Sequence, residues 1–308
     1  MTSSDDIWDP SIPVEKNHYN WKDEPAVIPA AKKVPTGALT VVDLFSGCGG
    51  FSEGFRQAGF KSVFAVDIHG PSVATFRHNH PTACAVLGDM RRLTDGQIES
   101  AIPVSSVDVV TAGVPCQGFS LNNRKRWDED DRNFLFQEFI RVVQLLQPKV
   151  VVLENVAGLA MAANGAFKRA IADAIEESGY EVDFNVLNAM EHGVPQRRMR
   201  VFFMGVRRGL EIRWPRPTHG PGLLKPVTVW QAIGDLPVLR SGDSSDVYTE
   251  SPFSKYQKAM RGGCSVLLNH QAPDHPDSVI RKIEETRPGE PLYPKFKQRI
   301  RACPKFCV

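Results

Sequence analysis

Four groups of residues have types and spacings that could do chemistry. The first is Cys116, inside Thr111-Ala-Gly-Val-Pro-Cys-Gln-Gly-Phe-Ser120. An apolar strand, Val107 to Ala112, runs out into Gly113, and Pro115 fixes φ just before the thiol. A sulfur held this way at the carboxyl edge of a sheet is placed to act as a nucleophile, because open α/β sheets bind their ligands there. The ordinary role of a lone cysteine, a small buried hydrophobe, needs no stiff approach and no Gln-Gly-Phe-Ser after it. The second group is Leu153-Glu154-Asn155-Val156, which sets a carboxyl at the tip of a valine strand. Beside the Cys116 strand it would face the same substrate and, when protonated, donate to a ring nitrogen; otherwise it caps the following loop.

The third group is Gln196-Arg-Arg-Met-Arg200, leading into Val201-Phe-Phe-Met-Gly205. Alternate residues of an extended run share a side, so Gln196, Arg198 and Arg200 are expected to face one target. Guanidinium forks suit a carbonyl oxygen and a phosphate. The fourth is the glycine turn Phe45-Ser-Gly-Cys-Gly-Gly-Phe51. Ser52 stands where a third glycine would complete GxGxxG, so a dinucleotide pyrophosphate fits poorly. Asp67, closing the second strand, is placed to accept ribose hydroxyls, and Asp89, closing the third, lies toward an adenine edge; together with the turn they describe an adenosine pocket. Taken singly, each aspartate would more commonly cap a turn or helix.

The elements that must carry these groups alternate. Leu39 to Phe45 reads as a strand, Phe51 to Ala58 as a helix closed by Gly59, Lys61 to Asp67 as a strand and Pro71 to Asn79 as a helix. A short strand at 83–86, a weak helix over Thr94 to Ala101 and the Val107 to Ala112 strand follow. The helix Phe134 to Leu146 stops before Pro148, the strand Lys149 to Leu153 comes next, and the helix Gly165 to Glu177 is capped by Gly179. Tyr180 to Leu187 and Val201 to Val206 close the series. Strands separated by helices specify an α/β, doubly wound, mostly parallel sheet. Residues 1–38, with Trp8, Tyr19 and Trp21, lack periodicity and read as an N-terminal extension outside the core; 39–215 form the main domain. From 216 to 308 Pro, Gly and Ser rise, and only Thr228 to Ile233 looks like a capped helix, so a small irregular second lobe is expected. Its end, Tyr293 to Arg301, interleaves aromatics with Lys295, Lys297, Arg299 and Arg301, a pattern for nucleic-acid contact or simply a solvated basic face.

Bulk composition excludes little. A net charge of +2 across 308 residues leaves any affinity for a polyanion to local patches. The six cysteines form no CxxC pair, which argues against a metal site and against a disulfide framework. No apolar run reaches the ~20 residues of a membrane helix, and the Met-Thr-Ser-Ser-Asp-Asp start lacks a secretory layout, so a cytosolic, nucleoid-associated protein is expected, or a nuclear one in a eukaryote.

In this order, Asp43-Leu-Phe-Ser-Gly-Cys-Gly-Gly-Phe-Ser52, Gly113-Val-Pro-Cys-Gln-Gly-Phe-Ser120, Glu154-Asn-Val156 and Gln196-Arg-Arg-Met-Arg200 resemble the DNA cytosine-5 methyltransferases over roughly Leu39 to Val206. The resemblance implies the Rossmann-like methyltransferase fold and S-adenosyl-L-methionine as cofactor, bound by Phe45, Ser46, Gly47, Cys48, Gly49, Gly50, Asp67, Ile68, Asp89, Met90 and Pro115. It makes Cys116 the nucleophile, Glu154 its partner on the base, and Arg198 and Arg200 ligands of the flipped cytosine and its backbone. Gln117, Ser120 and Gln196 join the DNA contacts. The basic loop Asn122-Asn-Arg-Lys-Arg-Trp127 is expected to bring Arg124, Lys125 and Arg126 near phosphates, where otherwise it would be a solvated loop.

The implied partner is double-stranded DNA, met by a monomer, with a companion restriction enzyme or a complementing C-terminal piece as further partners and no membrane. Family members usually continue past the recognition lobe to an Arg-Pro-type and a Gly-Asn-x-Val segment. Neither is found before Val308, so an open edge on the cofactor site and an incomplete DNA clamp are expected. Two other classes stand beside this reading. A non-catalytic DNA-binding remnant would keep the fold without turnover. An RNA cytosine methyltransferase would share Cys116, and Gln117-Gly-Phe-Ser120 argues against it.

Overall fold

A computed structural model describes residues 24–115, 133–160 and 165–287. Its centre is an eight-stranded sheet in the order β1-β4-β3-β2-β5-β6-β8-β7. The strands are β1 (Ala26–Ile28), β2 (Thr40–Leu44), β3 (Lys61–Asp67), β4 (Cys84–Leu87), β5 (Val109–Gly113), β6 (Val150–Val156), β7 (Tyr180–Asn188) and β8 (Met199–Arg207). β2 to β6 run parallel, while β1 is antiparallel to β4 and β8 antiparallel to β6. This is the mixed, mostly parallel α/β arrangement expected from the alternation, with one short antiparallel edge strand added. Crossover helices α1 (Gly50–Gln57), α2 (Gly70–Asn79), α3 (Asp95–Ala101), α4 (Asn133–Leu146) and α5 (Ala166–Glu177) connect the strands.

The strands form where the sequence offers short runs of valine and alanine, and burial on both faces follows from helices covering both. Val42, Leu44, Val110, Ala112, Val151 and Leu153 share a core with Phe139, Val142 and Val143 of α4 and with Ile171 and Ile175 of α5. The alternate positions Val41, Val109 and Val152 face the other way and collect Phe51 and Phe55 of α1. A fully buried ring such as Phe139 contributes about 1.5–3 kcal/mol by leaving water, and trimming it to alanine costs about 3–5 kcal/mol once the cavity is counted. α5 stops because Gly179 takes φ 93°, open to glycine and strained for other residues.

β1 corrects one boundary. Residues 26–28 belong to the segment read as lying outside the core, yet Ile28 is buried with Ala65, Val73 and Phe76, and Val27 pairs with Val86. Three residues are too few to show a period. The adjoining chain is packed so closely that a Cβ on Gly88 would stand 2.6 Å from Pro25 Cβ.

Internal contacts divide the chain into two units. The first holds the sheet through Leu187, then Met199–Arg216; the second takes Asn188–Arg198 and the chain from Pro217 onward. Within the second unit lie α6 (Val229–Ile233), α7 (Lys255–Arg261) and α8 (Asp277–Glu284). Thr228 and Gln231 close a reciprocal capping box at α6, and Ser254 with Gln257 does the same at α7. Arg261 pairs with the buried Asp235 at 2.5 Å and lies 3.6 Å over the Tyr248 ring.

Candidate active site

The carboxyl ends of β2, β3, β5 and β6 meet along one edge of the first unit, and most of the sequence-derived residues in that unit lie there. The glycine turn joins β2 to α1. Phe45 has φ 55°, uncommon for a residue with a side chain, and Gly47 and Gly49 follow at φ 53° and 94°. Gly47 donates its amide to Asp67 Oδ2 at 2.8 Å, while Oδ1 of the same carboxylate takes the His69 amide at 2.9 Å. A Cβ on Gly47 or Gly50 would meet open space, so the turn has room on its outer side. Beneath Gly49 the packing is the reverse: a Cβ there would stand 2.8 Å from Phe76 and 2.9 Å from His80 Nε2. Burial lowers the pKa of His80 and favours the neutral ring, which hydrogen-bonds the Gly49 backbone. Cys48 is an exposed free thiol.

Ile68, 56% exposed, offers an apolar surface directly after Asp67. A turn with room above it, a carboxylate with remaining acceptor capacity and an apolar shelf match an adenosine group. Asp89 and Met90 sit differently from expectation. Asp89 accepts the Arg91 amide at 3.0 Å and binds the Arg91 guanidinium, so its contacts are those of the turn cap. Burial works to raise the Asp89 pKa, and the Arg91 hydrogen bonds outweigh it and hold that carboxyl below its ordinary range. Met90 is 2% exposed inside the main core, and its carbonyl already accepts the Leu93 amide at 3.2 Å. Arg141 of α4 steadies this turn by donating to Leu93 O at 3.0 Å and Met90 O at 3.4 Å.

Along the same edge, Glu154 stands two residues before the end of β6, opposite Gly113, and its Oε2 would lie 3.7 Å from a Cβ placed there. Arg200 on β8 binds it, Nε to Oε1 at 2.7 Å, with side-chain exposures of 23% and 21%. Buried Asn155 turns the other way, donating Nδ2 to Val114 O at 3.3 Å and accepting the Val156 amide at 2.8 Å. That places a side-chain tether one residue before Pro115, which is exposed. Sequence reasoning gave Asn155 no task; an amide flanked by Glu154 and Val156 on a valine strand was the available signal.

The arginine pair is only partly as expected. The strand begins at Met199, so the alternating-side argument covers Arg200 alone. Upstream, the Gln196 amide donates to Val194 O at 2.8 Å around Pro195, a three-residue turn that ends at Gln196, ahead of the strand. Gln196 and Arg198 are exposed and belong to the connection grouped with the second unit. Cys116, Gln117, Ser120, Arg124, Lys125 and Arg126 lie outside the described residues, as does the Tyr293 to Arg301 segment. Among the described residues there is no cluster of histidine, cysteine and carboxylate side chains able to hold a metal, and no helix long and apolar enough to cross a membrane.

A doubly wound sheet with a glycine turn at the end of β2, and a Glu–Arg pair beside a Val-Pro strand exit, is an α/β scaffold of the kind that binds ligands at the carboxyl edge of its strands. Comparison with known proteins narrows it. The profile of the C-5 cytosine-specific DNA methylases matches residues 39–301, and the chain belongs to that family. It is 38% identical over 254 residues to the Type II methyltransferase M1.HphI of Haemophilus parahaemolyticus and 36% identical over 259 residues to M.DdeI of Desulfomicrobium norvegicum. Each match covers 82% of this chain and 62% of the relative, so the chain spans less than two thirds of their length. Among solved structures, a candidate DNA modification methyltransferase encoded within an E. coli prophage superposes with a TM-score of 0.63 at 25% identity, covering 86% of this chain and 78% of that one.

Proposed function

We propose that this chain transfers a methyl group from S-adenosyl-L-methionine to carbon 5 of cytosine in double-stranded DNA, with Cys116 as nucleophile on a flipped-out base. The observation that carries the reading is the Glu154–Arg200 pair, which sets a carboxyl and a guanidinium beside the Gly113–Pro115 exit in a chain of this family. The cofactor's part is to supply an electrophilic methyl on a sulfonium. Phe45 to Gly50 and Asp67 would hold its adenosine, with Ile68 as the apolar wall and Pro115 closing the side next to the thiol.

Carbon 5 of cytosine is a poor nucleophile until a thiolate adds to carbon 6. Cys116 supplies that electron pair as a thiolate, the reactive form of the side chain. Glu154 hydrogen-bonds or protonates ring N3, so that the ring accepts the attack, and Arg200 keeps the Glu154 carboxyl aimed. That electron pair on carbon 5 would then take the methyl group as the methyl's bond to the cofactor's sulfonium sulfur breaks, with the thioether S-adenosylhomocysteine leaving. Loss of the carbon 5 proton to a base drives the carbon 6–sulfur bond to break, expelling the Cys116 thiolate and restoring the aromatic ring. None of these atoms is reachable inside a stacked duplex, so the cytosine must leave the helix at a cost of a few kcal/mol. Arg198 and the 124–126 cluster would hold the backbone. The Type II names of the relatives suggest a companion restriction enzyme as a biological partner.

Incubation with cofactor and duplex DNA carrying 5-fluorocytosine tests this directly, since fluorine at carbon 5 blocks the proton loss. A protein–DNA adduct that survives denaturation, and that Cys116→Ser does not form, is expected. Cofactor binding without any adduct would overturn the catalytic reading in favour of DNA binding alone, and an adduct formed on tRNA but not on duplex DNA would move the substrate to RNA.

A further inference from the structure

Asp43 is a buried acid that the chemistry above does not use. It stands on β2 opposite Thr111 of β5, on the sheet face where Val41, Val109 and Val152 pack with α1. An apolar side chain would continue that face. Instead, Asp43 Oδ2 accepts the Ser52 hydroxyl at 2.8 Å and the Ser52 amide at 3.3 Å, and Oδ1 accepts the Thr111 hydroxyl at 3.1 Å. Ser52 lies in the first turn of α1, where the chain leaves the glycine turn; Thr111 lies four residues before Pro115. At the other side of the same turn, Asp67 holds the Gly47 amide. Two carboxylates therefore pin the turn, and one of them also grips the strand that leads to Cys116.

Keeping Asp43 costs something. Burial, with the nearby Asp67 charge adding to it, pushes its pKa up to about 7, against three hydrogen bonds that pull the other way. A buried acid held at such expense, where valine would pack, calls for a task that valine could not perform.

We propose that Asp43 is a positioning residue that fixes the exit of the glycine turn to β5, so that the cofactor turn and the Pro115 approach to the nucleophile keep one register. Its functional consequence rests on the methyltransferase reading; its grip on the turn does not. Asp43→Asn preserves volume but replaces one acceptor oxygen with a donor. Thr111→Val removes the partner hydroxyl, and Thr111→Ser keeps it.

The test uses the full chain and two readouts. Calorimetric binding of S-adenosylhomocysteine is expected to weaken about tenfold in Asp43→Asn and in Thr111→Val, with Thr111→Ser near wild type. Amide hydrogen exchange over residues 44–53 is expected to speed up in the first two variants only. Wild-type affinity and exchange in both would overturn the proposal, as would Thr111→Ser behaving like Thr111→Val. Should Asp43→Asn fail to fold, the Thr111 pair decides the matter. A wild-type chain that bound no S-adenosylhomocysteine would sink the methyltransferase reading, and the exchange arm would still decide whether Asp43 holds the turn.

Discussion

Arg200 reaches Glu154 diagonally across two antiparallel strands: it stands opposite Val156 on β6, and its Nε comes within 2.7 Å of Glu154 Oε1 two residues back on the same face. The antiparallel insertion of β8 beside β6 makes this reach available. Replacing Arg200 with alanine should lower kcat/KM for DNA methylation by about a hundredfold, because the carboxyl loses the group that aims it. The melting temperature should shift little, since the pair is partly solvated. Arg200→Lys should recover only part of the rate, lacking the planar fork. Steady-state transfer of labelled methyl checks this, and an undiminished Arg200→Ala rate would remove Arg200 from the site.

Asn155 tethers the Val114 carbonyl from inside the fold. Asn155→Ala leaves that carbonyl and the Val156 amide without a side-chain partner and should cost about 1–3 kcal/mol in urea unfolding. It should also slow adduct formation on 5-fluorocytosine DNA by loosening the approach to Cys116. Wild-type stability in the alanine variant would contradict the tether.

Gly49 has two reasons to be glycine: a φ of 94°, and Phe76 and His80 packed beneath it. Gly49→Ala must either twist the turn or push the His80 ring aside, a penalty of about 1–3 kcal/mol. Binding of S-adenosylhomocysteine should fall more steeply than thermal stability. Gly50→Ala, which meets open space, is the internal control and should fold as wild type.

Asp43 ties folding to pH in a defined direction. Between the ordinary aspartate value of 3.8 and about 7, the folded chain keeps a proton that the unfolded chain has released. Its contribution is therefore fully present below pH 3.8, falls as the pH rises through that window, and levels off above it, a span on the order of 4 kcal/mol. Urea midpoints at pH 4.5, 6 and 8 should show the wild type losing stability relative to Asp43→Asn. A constant difference across the three would contradict the raised value.

Much of the first unit could be read ahead of the structure, because runs such as Val150-Val-Val-Leu153 and caps such as Gly179 are local signals that tertiary packing did not override. What escaped is non-local or too short. β1 has three residues and gains its stability from β4, and no local pattern says that β8 enters between β6 and β7. In the site, Glu154 and Arg200 bind each other, a contact that neither motif announced, and Asp67 holds the Gly47 amide of the turn. The strand that was to align Gln196 and Arg198 with Arg200 begins only at Met199, and Asp89 was taken by a neighbour only two residues away. The hold of Asp43 on both Ser52 and Thr111 is invisible until the strands are side by side, although an acid inside an apolar strand was already an oddity.

The three residues of β1 bear on where this protein can safely be cut. A fragment started at Leu39, where the family match begins, would discard Pro25 and Ile28 and strip β4 of its outer neighbour. The exposed rim, Cys84–Leu87, is wholly apolar and would present free amides and carbonyls to any other copy in solution. Trimming to the family boundary should therefore yield clumped material, and a start ahead of Glu24 a dispersed one.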